Sequence, residues 1–195
     1  MAEFRAPAPL VLLAQAGDRR ALEQLLAGVQ EVLFDYLKNL VRDPHLAEDI
    51  LQEVFVLIWR KLHWLREPEL FRPWVYRIAS REAFRNLKKE RTLSRVTQHE
   101  TALMAEAGAE NLPSEWVERL PDLLADVSSG SRAVLILHYL QGLTLEEVAA
   151  ALDLPAGTVK SRVAYGLSVL RKKLATKGGN WRDVSSRSSE NSPAS

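Results

Sequence analysis

Apolar residues recur along this chain at intervals of three and four. No stretch sustains the apolar–polar alternation of a half-buried strand, so the pattern predicts helices throughout. Between Ala21 and Leu40 the positions Leu22, Leu25, Leu26, Val29, Leu33 and Leu37 keep helical spacing. Asp43-Pro44 opens a second helix, with the aspartate as cap and the proline in the first turn, where a missing N–H is tolerated. Along it Ala47, Ile50, Leu51, Val54, Ile58 and Leu62 share one face. A third helix starts at Pro73 and turns Val75, Ile78, Ala79, Ala83 and Leu87 inward, and the three predict a small bundle ending near Arg95.

Thr97 to Pro113 is short of large apolar residues and reads as a linker. Beyond it Trp116, Leu120, Leu124 and Val127 predict another helix. Ser131 is the expected cap of the next, whose run from Ala133 to Leu137 is apolar all round and therefore buried. Gly142 ends it. Thr144-Leu-Glu-Glu147 is a capping box that opens a short helix through Leu152. Asp153-Leu-Pro155 makes a turn, and a last helix runs from about Ala156 to Leu174 with Val159, Val163, Leu167, Leu170 and Leu174 buried. The expected fold is all-α: two helical domains, a bundle and a helix-turn-helix unit, joined by a flexible linker. The Ser-rich tail from Ala175 has no apolar period and reads as disordered.

Composition narrows the classes. Of 195 residues 47% are hydrophobic and 26% charged, enough to build a core and to exclude global disorder. The absence of cysteine excludes disulfides, thiolate zinc sites and cysteine nucleophiles, and fits a reducing cytoplasm. The longest apolar runs, such as Val54 to Trp59, fall far short of the ~18 residues of a membrane span. No convincing cleavage site follows the apolar patch from Pro9 to Ala14. A soluble cytoplasmic protein without membrane contact is the expectation.

A net charge of +1 says nothing about partners, but its distribution does. Residues 1–71 sum to −3, 72–95 to +6, 96–128 to −6 and 129–174 to +3. The linker is therefore acidic and the helix before it strongly basic. Arg77, Arg81, Arg85 and Lys88 fall on one stripe, where like charges repel by roughly 0.2–0.5 kcal/mol per pair. An isolated fold has no reason to collect them, whereas a polyanion supplies one. Phe71, Trp74 and Tyr76 stand at the start of that helix, and aromatic faces beside a cationic groove suit stacked unpaired bases. Core packing is the competing reading of the aromatics, and for Trp74 alone it is favoured.

Two short helices with a tight turn between them can lay the second in a major groove. Thr158, Ser161, Arg162, Tyr165 and Lys172 face outward there, flanked by Lys160 and Arg171, and offer base-edge and phosphate donors together. An amphipathic helix pair with a solvated basic side would share that shape; the local excess of positive charge favours nucleic acid. On the 44–62 helix Asp49, Gln52 and Glu53 point away from the core. His45, Asp49 and Glu53 also recur every four residues and could meet one divalent ion, which makes a metal-dependent helical hydrolase an alternative. No second carboxylate–histidine set completes such a site, so a solvated or protein-docking face is favoured and no cofactor is expected.

Two stretches resemble the bacterial RNA polymerase sigma factors of the extracytoplasmic-function (ECF) group. Ala47-Glu-Asp-Ile-Leu-Gln-Glu-Val-Phe55 with Phe71-Arg-Pro-Trp-Val-Tyr-Arg-Ile-Ala79 looks like the family's region two. Leu143-Thr-Leu-Glu-Glu-Val-Ala149 with Gly157-Thr-Val-Lys-Ser-Arg162 looks like its region four. The resemblance implies a region-two domain over 10–95, a linker over 96–113, a region-four domain over 114–175 and a tail over 176–195. It implies a non-enzymatic initiation subunit whose partners are core polymerase, promoter DNA and an anti-sigma factor. Asp49, Gln52 and Glu53 match the surface that docks on the β′ clamp helices. Trp74, Tyr76, Arg77, Ser80, Arg81, Arg85 and Lys88 lie on the helix that opens minus-ten DNA, after a loop of about His63 to Leu70 that captures a flipped base. Thr158, Lys160, Ser161, Arg162, Tyr165, Arg171 and Lys172 lie on the reader of the minus-thirty-five element, whose neighbouring helices meet the β flap. A stand-alone helix-turn-helix regulator is the alternative within DNA binding.

Two departures stand out. The family often has asparagine where this chain has Ser80, and it tends to follow Ser161-Arg162 with arginines where this chain has Val163-Ala-Tyr165-Gly-Leu167. Gly166 inside a helix costs ~1 kcal/mol relative to alanine, and Leu167 stands where a phosphate contact is expected. Altered or weaker minus-thirty-five recognition is the expectation.

Overall fold

The computed structural model describes residues 6–93 and 120–176. Seven α-helices stand out, beside a helical stretch over 120–123, with no strand among the described residues. α1 (Ala8–Gln15) precedes the predicted bundle and buries Val11. α2 (Arg19–Val41) begins where the Asp18 carboxylate accepts the Arg20 and Ala21 amides, and stops at Arg42, a left-handed residue at φ 65°. α3 (Pro44–Lys61) has the predicted Asp43 cap. Two 3-10 turns, Leu62–Trp64 and Pro68–Leu70, lead into α4 (Phe71–Leu93), which starts two residues before the expected Pro73.

In the second unit a 3-10 turn over Leu124–Asp126 precedes α5 (Ser129–Leu135). The cap of α5 is Ser128, not Ser131: the Ser128 hydroxyl accepts the Ser131 amide at 3.4 Å, and Ser131 itself is buried. A π-helical turn over Ile136–Leu140 carries the chain to Gly142, whose φ of +67° provides the expected stop. α6 (Leu145–Leu152) opens with the predicted capping box; Thr144 and Glu147 exchange hydrogen bonds at 3.1 and 2.8 Å. Asp153, left-handed at φ 57°, turns the chain into α7 (Ala156–Thr176). The acidic linker over 96–113 and the tail beyond 176 lie outside the described residues.

The buried apolar side chains form one continuous cluster that runs from α1 into α7. The two units pack against each other along α4 and α6 and along α2 and α5. Arg132 donates to the Leu40 carbonyl at 2.9 Å and Arg42 to the Ala125 carbonyl at 3.4 Å. Arg132 thereby satisfies a carbonyl at α2's C-terminal end, where helix carbonyls lack intrahelical partners and cations are favoured, while Arg42 ties that end to the second unit.

Candidate nucleic-acid interface

α4 holds the densest positive charge, and the fold spends part of it internally. Arg77 donates to the Ala150 carbonyl at 3.0 Å and lies 3.4 Å from the Asp153 carboxylate. Arg81 reaches the other oxygen of Asp153 at 3.1 Å. Arg85 pairs with Glu53 at 2.8 Å and with Glu82 on its own helix. The expectation that an isolated fold would have no use for this stripe is therefore corrected, because carboxylates from α3, α4 and the α6–α7 turn relieve its repulsion. The pairs with Asp153 and Glu53 keep substantial solvent exposure, so each is worth little and is screened by salt, whereas Glu82 is mostly buried beside Arg85.

Tyr76 and Ser80 are not on the exposed face of α4. They are 1% and 2% exposed and look towards α2. Ser80 donates its one hydroxyl proton to the Tyr76 carbonyl at 2.6 Å, so the Tyr36 hydroxyl, 2.7 Å away, is the donor to Ser80 Oγ. The Tyr76 hydroxyl donates to Gln141 Oε1 at 2.8 Å, in the second unit. The rings of Tyr36 and Tyr76 meet edge to face at 5.4 Å. Burial pushes both phenols far above the ordinary tyrosine value of 10.0, for Tyr76 against the opposing pull of Arg72. Both stay neutral hydrogen-bond partners. Trp74 is half-buried against Phe71, with ring centroids 6.1 Å apart, while Phe71 belongs to the core.

Just before α4, the segment over Leu62–Leu70 presents Trp64 and Leu70 at 66% and 46% exposure. Its backbone is tied down by Gln15 of α1, whose amide donates to the Leu62 and Leu65 carbonyls at 2.9 and 2.7 Å. Trp64 was not singled out from sequence; a large aromatic in a polar, proline-containing loop was the available signal.

On α3, Asp49, Gln52 and Glu53 are exposed as expected. Val56 and Trp59, at 49% and 63% exposure, extend that face into an apolar stripe the sequence reading missed. The spacing of 49, 52, 56 and 59 puts all four on one side of the helix. Beside it, Leu51 and Phe55 face Phe34 and Glu31 of α2 across a groove. His45, Asp49 and Glu53 form no metal site: among the described residues no group of three or more His, Asp or Glu could hold a metal ion.

On α7, Lys160 and Lys172 are fully outward, while Thr158, Ser161, Arg162, Tyr165 and Arg171 are half-buried. Ser161 hydrogen-bonds the Thr158 carbonyl at 3.0 Å. Leu167 is wholly buried, so the position expected to face phosphate belongs to the core. Gly166 has a packing reason: a Cβ there would lie 2.6 Å from Leu135 Cδ1 of α5. No described helix is long and apolar enough to cross a membrane.

Two family models match in the order read from sequence: Sigma-70 region 2 over residues 25–92 and Sigma-70, region 4 over residues 123–172. Together they cover more than half of the chain. The chain is 27% identical over 186 residues to the ECF RNA polymerase sigma-E factor of Haemophilus influenzae, covering 89% of this chain and 98% of that protein. Its fold is like that of CnrH, solved in complex with the cytosolic domain of CnrY, with a TM-score of 0.66, 24% identity and coverage of 88% and 98% of the two chains. It is also like the fold of the sigma factor RpoE of Bartonella quintana, solved with the anti-sigma factor NepR, with a TM-score of 0.61, 23% identity and coverage of 78% and 96%.

Proposed function

The chain belongs to the sigma-70 family of RNA polymerase sigma factors, and from that premise we propose how its surfaces divide the work of promoter-specific initiation. The observation that carries the proposal is the order of two matched units, a region-two bundle holding the basic helix and a region-four unit ending in a helix-turn-helix. α3 docks on the β′ clamp helices of core polymerase through Asp49, Gln52 and Glu53, with Val56 and Trp59 supplying the apolar contact area. α4 takes up minus-ten DNA on Arg77, Arg81, Arg85 and Lys88, beside Trp74. Trp64, on the loop that Gln15 braces, is the platform on which a flipped base stacks. α7 enters the major groove at the minus-thirty-five element through Lys160, Ser161, Arg162 and Tyr165, with Thr158, Arg171 and Lys172 placing it on the backbone.

Such a subunit makes and breaks no covalent bond. Its contribution is binding energy used to select and unstack DNA. It acts in the cytoplasm, where polymerase is, and an anti-sigma factor of the kind held by the Bartonella quintana protein is its expected antagonist. The test is run-off transcription with bacterial core polymerase on a library of promoter fragments. Core-dependent transcripts sharing upstream elements support the reading; failure both to bind a competent core and to start transcripts overturns it.

A further inference from the structure

Arg77 and Arg81 stand one turn apart on α4, and their guanidinium groups converge on one carboxylate. Arg77 lies 3.4 Å from Oδ1 of Asp153 and Arg81 3.1 Å from Oδ2. Asp153 is the left-handed residue that turns α6 into α7, so these two arginines grip the corner of the helix-turn-helix. Arg77 holds the same corner a second way, through the Ala150 carbonyl at 3.0 Å. Next to it Tyr76 and Arg72 reach Gln141, through its side chain and its carbonyl respectively.

We propose that Asp153 is an internal stand-in for a DNA phosphate, and that the free chain is latched shut with its minus-ten arginines occupied by its own region-four unit. The inference rests on the reading of α4 as the minus-ten helix. A guanidinium presents the same planar pair of N–H donors to a carboxylate and to a phosphate, so the two acids compete for one set of donors. The ion pairs are the labile part of a contact whose remainder is the apolar cluster the two units share. The side chains of Arg77, Arg81 and Asp153 are 38%, 64% and 63% exposed, which makes each pair weak and screened by salt. A nucleic-acid backbone with one charge every few ångströms displaces a lone carboxylate readily. When the units part, water replaces Gln141 as partner of the Tyr76 hydroxyl, so no polar group is stranded in an apolar site.

Asp153→Asn tests this, because asparagine tolerates the left-handed backbone and removes only the charge. The chain has no cysteine, so Gln24→Cys and Glu146→Cys, both at exposed positions, take a dye pair that reports the separation of the two units. Without DNA, energy transfer falls in Asp153→Asn and in Arg81→Ala, and falls in the parent chain as salt is raised. Without core polymerase, Asp153→Asn binds a promoter duplex roughly three- to tenfold tighter. That gain disappears in an Arg77→Ala/Arg81→Ala background. Asp122→Asn, an exposed charge removed from the same unit, changes binding by less than about twofold. Unchanged energy transfer in both latch variants overturns the proposal, as does a gain that persists in the double-alanine background. If the double-alanine chain transcribes normally with core, the minus-ten reading of α4 fails and takes the competition with it; the dye pair shows separately whether the units are latched.

Discussion

Ser80 shows how a polar residue on a strongly basic helix can serve the interior. It stands next to Arg81 and one turn from Arg77 in sequence, yet it closes a hydrogen-bonded chain between Tyr36 and the Tyr76 carbonyl. Ser80→Ala is expected to cost ~1–3 kcal/mol, because Tyr36 loses its buried partner; a fall in urea midpoint at unchanged m-value measures it. Ser80→Asn, which restores the family's usual residue, should destabilise by overpacking rather than improve promoter binding. The same site carries a pH signature. Both phenols titrate above 10.0 in the folded chain, so their contribution is whole below that pH and is lost as pH rises past it. Tyrosinate absorbance should therefore show two of the four tyrosines ionising only with unfolding at high pH. Gly166 belongs to the same scale: Gly166→Ala raises helix propensity yet drives a methyl into Leu135, and a net loss of ~1–3 kcal/mol is expected.

At the scale of elements, periodicity and caps located most helices. Asp43 and the Thr144–Glu147 box act where their chemistry said, because capping is local and needs only a few neighbouring amides. α1 went unread: eight residues of nearly uniform apolarity carry no period to read. Its Leu12 and Leu13 remain exposed while Val11 and Gln15 anchor it to the bundle and the Leu62–Leu70 segment. The exposed faces of α3 and α7 carry separable predictions. Trp59→Ala should weaken core binding at least several-fold while leaving thermal stability nearly unchanged, since the ring is exposed in the free chain. Lys160→Ala should lower the salt dependence of DNA binding by about one ion. Arg162→Ala should relax sequence preference at minus thirty-five; unchanged preference in the core-bound state refutes its assignment as a base reader.

For the whole molecule the main consequence is closure. Two units that the charge pattern separates share one buried cluster, and Arg132, Tyr76 and Arg77 bond across the boundary. A continuous core predicts one cooperative thermal transition for the free chain. Core polymerase or a latch-breaking substitution should split it into two, and calorimetry with and without Asp153→Asn checks this.

The sequence by itself determined what depends on near neighbours and on overall pattern: helix spacing, the caps at Asp43 and Thr144, the helix-turn-helix, the segregation of charge, and the family's two motifs in order. Tertiary structure alone decided which polar residues face inward and what the charges meet. Ser80 and Tyr76 read as surface because their hydrogen-bond partners lie on α2 and at Gln141, far along the chain. Arg77 and Arg81 read as waiting for DNA because Asp153, more than seventy residues away, becomes their neighbour only when the units fold together. Local chemistry is written in adjacent residues, whereas burial and charge pairing are set by residues that share space without sharing sequence.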